Sequence, residues 1–409
     1  MPPPTKLAVR TGRLFDGETF SSGPATVLLA AGRILGVEQG FTEPGADWQL
    51  IDAENGTVLP GLFDTHVHLV ADSEMGALDR VPGYTDDELD AVISRGLRRQ
   101  LAAGVTTVRD LGDRRFSVVD RRDRQRAGRT RDVEPTVLAS GPPLTSPGGH
   151  TFSLGGEVAG RAAIPAAIAE RADRGVDVVK VMASGGNTTP GTDVLATQFT
   201  DDELTLIVDS AHAAGLPVTA HAHGLPAVRQ AVHAGVDGIE HCTCLTAKGF
   251  ELPDELIEQI AAGGIAVSGV IPPPPVMDVA AAPPAIRALM AKLGLTPAEF
   301  RALRAEMIGR MHRGGVRLVA GLDAGLNPWL AHGRVRAAVS FLIEAGCTPA
   351  DALAAATSRA AGVCGLGDRK GLLRKGYDAD VIVADGDLQA DVEALERVRT
   401  VVLGGAVLR

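Results

Sequence analysis

Between about residues 57 and 345 the chain alternates short apolar, β-branched runs with longer stretches whose apolar positions recur every three or four residues. The short runs fall at 58–66, 106–111, 135–141, 176–183, 217–223, 236–241, 265–270 and 316–322, eight in all. Helical spacing marks 86–102, 161–174, 201–214, 226–234, 253–262 and 297–313. Several of these end on a small-residue stop such as Ala103-Gly104, Ala234-Gly235 or Gly314-Gly315 before the next strand. Strand, amphipathic helix and glycine stop in repeated order signal βα units. Eight units predict an α/β fold built on a (β/α)8 TIM barrel, with a doubly wound parallel sheet as the alternative.

The flanks follow a different rhythm. Residues 7–49 alternate apolar and polar positions around turn glycines such as Gly17 and Gly36, and the far end carries Asp380-Val-Ile-Val-Ala384 and Thr400-Val-Val-Leu-Gly-Gly405. Both ends therefore read as short strands, which predicts a small β-sandwich assembled from residues 1–58 and 366–409 around a barrel at 59–365. Residues 350–361 read as one helix joining the two parts. The stretch 271–297, opened by Pro272-Pro-Pro-Pro275, is long for a barrel loop. It reads either as a lid or specificity element or as a solvated helical insertion.

Composition narrows the range of functions. With 409 residues, 45% of them hydrophobic and 22% charged, the chain can bury a large core. A formal net charge of -10 argues against nucleic-acid or anionic-membrane partners and favours a small-molecule substrate. The N-terminus lacks signal-peptide features and no apolar run is long enough to span a bilayer, so a cytoplasmic protein is expected. Four cysteines, Cys242, Cys244, Cys347 and Cys364, are too irregularly spaced for a disulfide framework or zinc ribbon, and read as buried thiols.

Candidate chemistry gathers at the strand ends. His66 and His68 stand two apart late in the first barrel strand, where i and i+2 project to one face and can grip one metal ion. Lys180 lies in strand four, His221 and His223 end strand five, His241 ends strand six, and Asp323 follows strand eight. Each alone has a plain structural reading: a core histidine, a snorkelling lysine, a helix-capping aspartate. Their joint position at the C-terminal ends of barrel strands is where this architecture builds active sites. His150, in the loop after strand three, and Ser184 and Asn187, just beyond Lys180, read as substrate-facing. Arg109 and Asp110 read as an internal ion pair. His332 either borders the site or packs at a helix N-terminus, and His212, His233 and His312 read as structural.

The motifs Pro60-Gly-Leu-Phe-Asp-Thr-His-Val-His68, Val179-Lys-Val-Met-Ala-Ser-Gly-Gly186, Ala220-His-Ala-His-Gly224, Ile239-Glu-His241 and Gly321-Leu-Asp-Ala324 together resemble the amidohydrolase superfamily. The similarity points to the branch near imidazolonepropionases and metal-dependent Xaa-Pro and arginine/lysine dipeptidases and carboxypeptidases. The resemblance implies two divalent ions, zinc or alternatively manganese, iron or cobalt. His66, His68 and Asp323 would hold one ion, and His221 and His241 the other. Lys180, carboxylated on its side-chain nitrogen, would bridge them. It further implies amide or peptide-like C–N hydrolysis through a hydroxide shared by the two ions, with Asp323 moving the proton, His150 near the scissile carbonyl and the metal-holding His241 also counted as catalytic. His150, His223, Ser184 and Asn187 would contact substrate, and a homo-oligomer is expected. Alternatives are a mononuclear cyclic-amide hydrolase or deaminase, a lactone or ester hydrolase of the same superfamily, and a non-catalytic binding barrel.

Overall fold

A computed structural model describes residues 6–130, 132–270 and 284–408. Strands β1 (Lys6–Leu14), β2 (Ala25–Ala30), β3 (Arg33–Gln39) and β4 (Trp48–Pro60) come from the N-terminal end. Alternation along them sends Leu7 and Val9, then Val27 and Leu29, into one core. The barrel strands follow: β5 (Leu62–Val67), β6 (Val105–Asp110), β7 (Thr136–Ala139), β8 (Val179–Met182), β9 (Val218–Gly224) and β10 (Gly238–Thr246). A short β11 (Gly249–Phe250) turns back on β10, and β12 (Ala266–Ser268) and β13 (Arg317–Leu318) complete the set. At the far end β14 (Val381–Asp385), β15 (Val398–Leu403) and β16 (Ala406–Val407) join the first four in one sheet, ordered β16-β15-β14-β4-β1-β2-β3. Val58 faces Val383 and Pro60 faces Val381 across the β4–β14 pairing, so the two chain ends share the expected sandwich module.

The barrel consists of two parallel arcs, β5-β6-β7 and β8-β9-β10-β12-β13, closed at both seams. On one side Leu144 and Lys180 share a backbone bond of 2.8 Å, and Met182 N–H donates to Leu144 O at 2.8 Å. On the other, Thr65 N–H donates to Ala320 O, and Ala324 N–H to His66 O, at 3.1 Å each. The outer helices include Asp86–Ala102, Asp201–Ala213 and Pro297–Arg313. Each of these starts on a reciprocal capping box, Thr85 with Glu88, Thr200 with Glu203 and Thr296 with Glu299, which satisfies N–H groups a helix start leaves unpaired.

Two expected elements differ. The strand expected at 58–66 divides at Gly61: residues up to Pro60 complete β4 in the terminal sheet, and the barrel strand starts at Leu62. A Cβ on Gly61 would lie 2.2 Å from Thr106 Oγ1, so only glycine lets the chain pass from one sheet to the other there. The helix expected at 350–361 is two, Pro349–Ala355 and Ser358–Val363. The carbonyls of Ala355 and Ala356 accept from Ala320 N–H at 2.9 Å and Phe63 N–H at 2.8 Å, and these bonds to barrel strands break the helical ladder. Of the long insertion, residues 271–283 lie outside the described residues, and its remainder forms the helix Pro284–Leu293. Among the described residues no helix is long and apolar enough to cross a membrane.

Candidate metal centre

At the C-terminal end of β5 the pleat turns His66 and His68 to the barrel interior, where both are buried. Asp323, just beyond β13, completes a trio: its Oδ1 lies 3.2 Å from His66 Nε2 and 3.1 Å from His68 Nε2. The Asp323 backbone is left-handed, with φ 60°, a conformation that costs a non-glycine residue free energy and is sustained by the surrounding structure. Burial opposes charge on its carboxyl, but His66 and His68 more than offset this and hold its pKa at about 2.

A second trio gathers on β9 and β10. His221 and His223 share a face of β9, and Glu240 of β10 stands opposite His221, so His241 falls beside them. Ring centroids are 4.7 Å apart for His221 and His241, 4.5 Å for His223 and His241, and 4.6 Å for His221 and His223. The His66 ring is 5.5 Å from that of His241, which joins the two trios. Nitrogen and oxygen atoms within each of the sets His66, His241, Asp323 and His221, His223, His241 converge closely enough to hold one metal ion. His241 also has left-handed backbone, φ 67°. That breaks the strand alternation which would send Glu240 and His241 to opposite faces, and both side chains reach His66.

Lys180 enters from β8. Its side chain is buried and its Nζ has no hydrogen-bond partner among the described residues. Burial lowers its pKa to about 8, against the pull of Glu240 and Asp323, so a neutral amine is within reach near neutral pH. A neutral amine can take up CO2 and become a carboxylate. The imidazoles and carboxylate, with an unpaired amine lining the same cavity, fit a pair of divalent ions in chemical type.

Glu240 is a site residue that sequence reasoning left without a role. Its Oε2 lies 2.9 Å from His66 Nδ1, off the line of a straight hydrogen bond, while Oε1 accepts from Thr219 Oγ1 at 2.8 Å and Arg109 Nη2 at 3.1 Å. Burial would raise its pKa, yet His66 and Arg109 keep it well below the usual carboxylate range. The expected Arg109–Asp110 pair does not form. Neighbours along a strand face opposite sides, so Arg109 turns inward to Glu240, while Asp110 accepts from the N–H groups of Leu69 and Gly112.

The histidines of both trios, Asp323 and Lys180 line a cavity of about 130 Å³. His150 borders it with its ring 4.5 Å from that of His221, oriented by Thr189 Oγ1 at 2.9 Å from Nδ1. A Cβ on Gly186 would come within 2.3 Å of that ring, which accounts for the glycine pair after Ser184. Burial, with His223 nearby, lowers the His150 pKa to about 3, so the ring is neutral. Asn187 lines the cavity, its Nδ2 3.4 Å from His223 Nε2. Ser184 does not line it: its hydroxyl donates to Gly185 O and accepts from His223 N–H, bracing β9 from behind. His332 is buried with Nε2 3.1 Å from Ala71 O, a packing position, and His212 pairs with Asp237 on the outer surface. Cys242 and Cys244 are buried thiols, and Thr243 between them contacts His223. Sequence reasoning also missed Arg304, a buried arginine on the cavity wall.

The arrangement has counterparts among known proteins. An uncharacterized protein of Mycobacterium tuberculosis is 31% identical over 367 residues, covering 88% of this chain and 89% of its own length. The ochratoxinase of Aspergillus niger is 27% identical over 374 residues, covering 84% of this chain and 73% of its own. A solved Xaa-Pro dipeptidase with bound methionine in the active site superposes with a TM-score of 0.86 at 25% identity, over 99% of this chain and 100% of that one. The pattern of the Amidohydrolase family matches residues 57–408. Its span takes in every strand-end side chain of the centre, and the chain belongs to the amidohydrolase family.

Proposed function

We propose that this chain, a hydrolase of carbon–nitrogen bonds, cleaves an amide or peptide-like bond in an N-acyl amino acid, dipeptide or related amide at a two-metal centre. His66, His68 and Asp323 would hold one ion and His221 and His241 the other, with Lys180 carboxylated between them. The observation that carries the reading is the buried, unpartnered Nζ of Lys180 beside both trios. An amine sealed from water with no acceptor is costly, and conversion to a bridging carboxylate removes that cost. Zinc suits the imidazole and carboxylate donors, and manganese, iron or cobalt are the alternatives. The dipeptide substrate named for the Xaa-Pro dipeptidase supports the choice of bond.

When bound, the ion pair supplies Lewis acidity and an acidified water. The chain's own residues do the rest. Asp323, with one oxygen between His66 and His68, is placed to accept the attacking water's proton and return it to the leaving amine. His150, neutral and oriented by Thr189, presents its other ring nitrogen to the cavity as a donor for the developing oxyanion. His241 would hold its ion at the same carbonyl. Asn187 and His223 line the substrate side, and the walls of Leu78, Leu289 and Phe300 limit water around the reaction. Purified, metal-loaded chain screened against N-acyl amino acids, dipeptides, lactones and aryl amides tests the reading. Turnover confined to amide bonds is expected, and turnover of lactones alone would overturn it.

A further inference from the structure

The helix Pro297–Arg313 buries Phe300, Arg304, Met307, Ile308 and Met311, which places a guanidinium inside an otherwise apolar stripe. Arg304 is 2% exposed and lies on the wall of the catalytic cavity. Its Nη2 donates to His241 O at 2.9 Å and Gly269 O at 3.1 Å, whereas Nη1 has only long contacts, 3.5 Å to Cys242 O and 3.8 Å to Met307 Sδ. Among the described residues no carboxylate pairs with it, and burial lowers its pKa. A buried cation with no counter-ion among the described residues is costly.

Beyond His223 and His241, aromatic side chains stand next to this group. Phe250 lies with its ring centre 5.9 Å from the guanidinium and stacks edge-on against Phe300 at 5.2 Å, and Trp329 lies on the same cavity wall. Because Nη2 is anchored on the backbone of His241, the open Nη1 stands within a residue's reach of the proposed metal ligand. We propose that Arg304 is the counter-ion for a free carboxylate on the substrate, which selects N-acyl amino acids with a bulky apolar side chain. With Nη2 committed to two backbone carbonyls, Nη1 meets the carboxylate, and the anchored guanidinium fixes where that charge-assisted contact falls relative to the scissile amide. This rests on the amide-hydrolase reading for its catalytic consequence, though not for binding.

The test compares N-acetyl-L-phenylalanine with N-acetyl-L-phenylalaninol, which keeps the amide and the ring but lacks the carboxylate. The metal-loaded wild-type chain should favour the acid in kcat/KM by about 100-fold, the scale of a buried charge pair with one partner missing. In Arg304→Met that ratio should fall to near one, and Arg304→Lys should recover part of it. Equal turnover of acid and alcohol by the wild type, or an acid preference that survives Arg304→Met, overturns the proposal. If Arg304→Met does not fold, Arg304→Lys and the wild-type ratio decide. If neither compound is hydrolysed, the amide reading fails separately. Trp329 fluorescence then reads binding of 3-phenylpropanoate, which supports the proposal if it weakens at least tenfold in either variant and overturns it if unchanged.

Discussion

Glu240 Oε2 lies 2.9 Å from His66 Nδ1, the ring nitrogen opposite the one that faces Asp323. The carboxylate is itself held by Arg109 and Thr219, so the His66 ring is fixed in orientation from behind. Such outer contacts set the tautomer and basicity of a metal-binding imidazole. Glu240→Gln should therefore weaken metal retention about 10- to 100-fold. Competition with a chelator of known affinity measures this; unchanged retention would show that Glu240 only packs.

Asp323 is the proton carrier of the proposed reaction. Asp323→Asn keeps the shape of the side chain but removes the base, and should lower kcat roughly 100- to 10,000-fold. Steady-state rates on an N-acyl amino acid check it, with metal content measured alongside so that loss of metal is told apart from loss of the base.

Lys180 makes two separable predictions. Lys180→Ala should abolish turnover, and short carboxylic acids should restore part of it by standing in for the missing carboxylate. In metal-free, CO2-free protein the amine has a folded pKa of about 8, below its unfolded value of about 10.4. Between those values the unfolded chain holds a proton on this amine that the folded chain does not, so the contribution of Lys180 to stability rises with pH across the window, by roughly 3 kcal/mol in all. Urea denaturation of the wild type and Lys180→Met at successive pH values isolates this contribution as the difference between them, because the buried thiols of Cys242, Cys347 and Cys364 add a slope of opposite sign to both.

Gly61 marks the crossing between the terminal sheet and the barrel. Gly61→Ala forces a methyl group to within 2.2 Å of Thr106 Oγ1, and should cost about 1–3 kcal/mol of stability. Chemical denaturation measures the loss, and a variant as stable as the wild type would mean that the crossing has slack.

Strand and helix alternation made the barrel legible, because each strand is short and several of the helices between them end on a glycine stop. The strand-end histidines were legible for the same reason: in a parallel barrel, position along the strand fixes which side chains meet. What escaped depends on partners remote in sequence. The break at Ala356 arises because its carbonyl is claimed by Phe63, which no local propensity records. Glu240 and Arg109 meet across 131 residues, although strand alternation alone argues against an Arg109–Asp110 pair. Arg304 left a faint signal, a charge flanked at helical spacing by the apolar Phe300, Met307 and Ile308.

The most direct test of the account is the metal content of the purified chain after growth with zinc. A two-metal centre bridged by Lys180 predicts close to two equivalents per chain, falling to one or fewer in Lys180→Ala. One equivalent in the wild type, unchanged by that substitution, would contradict the bridge, and none would contradict the metal centre itself.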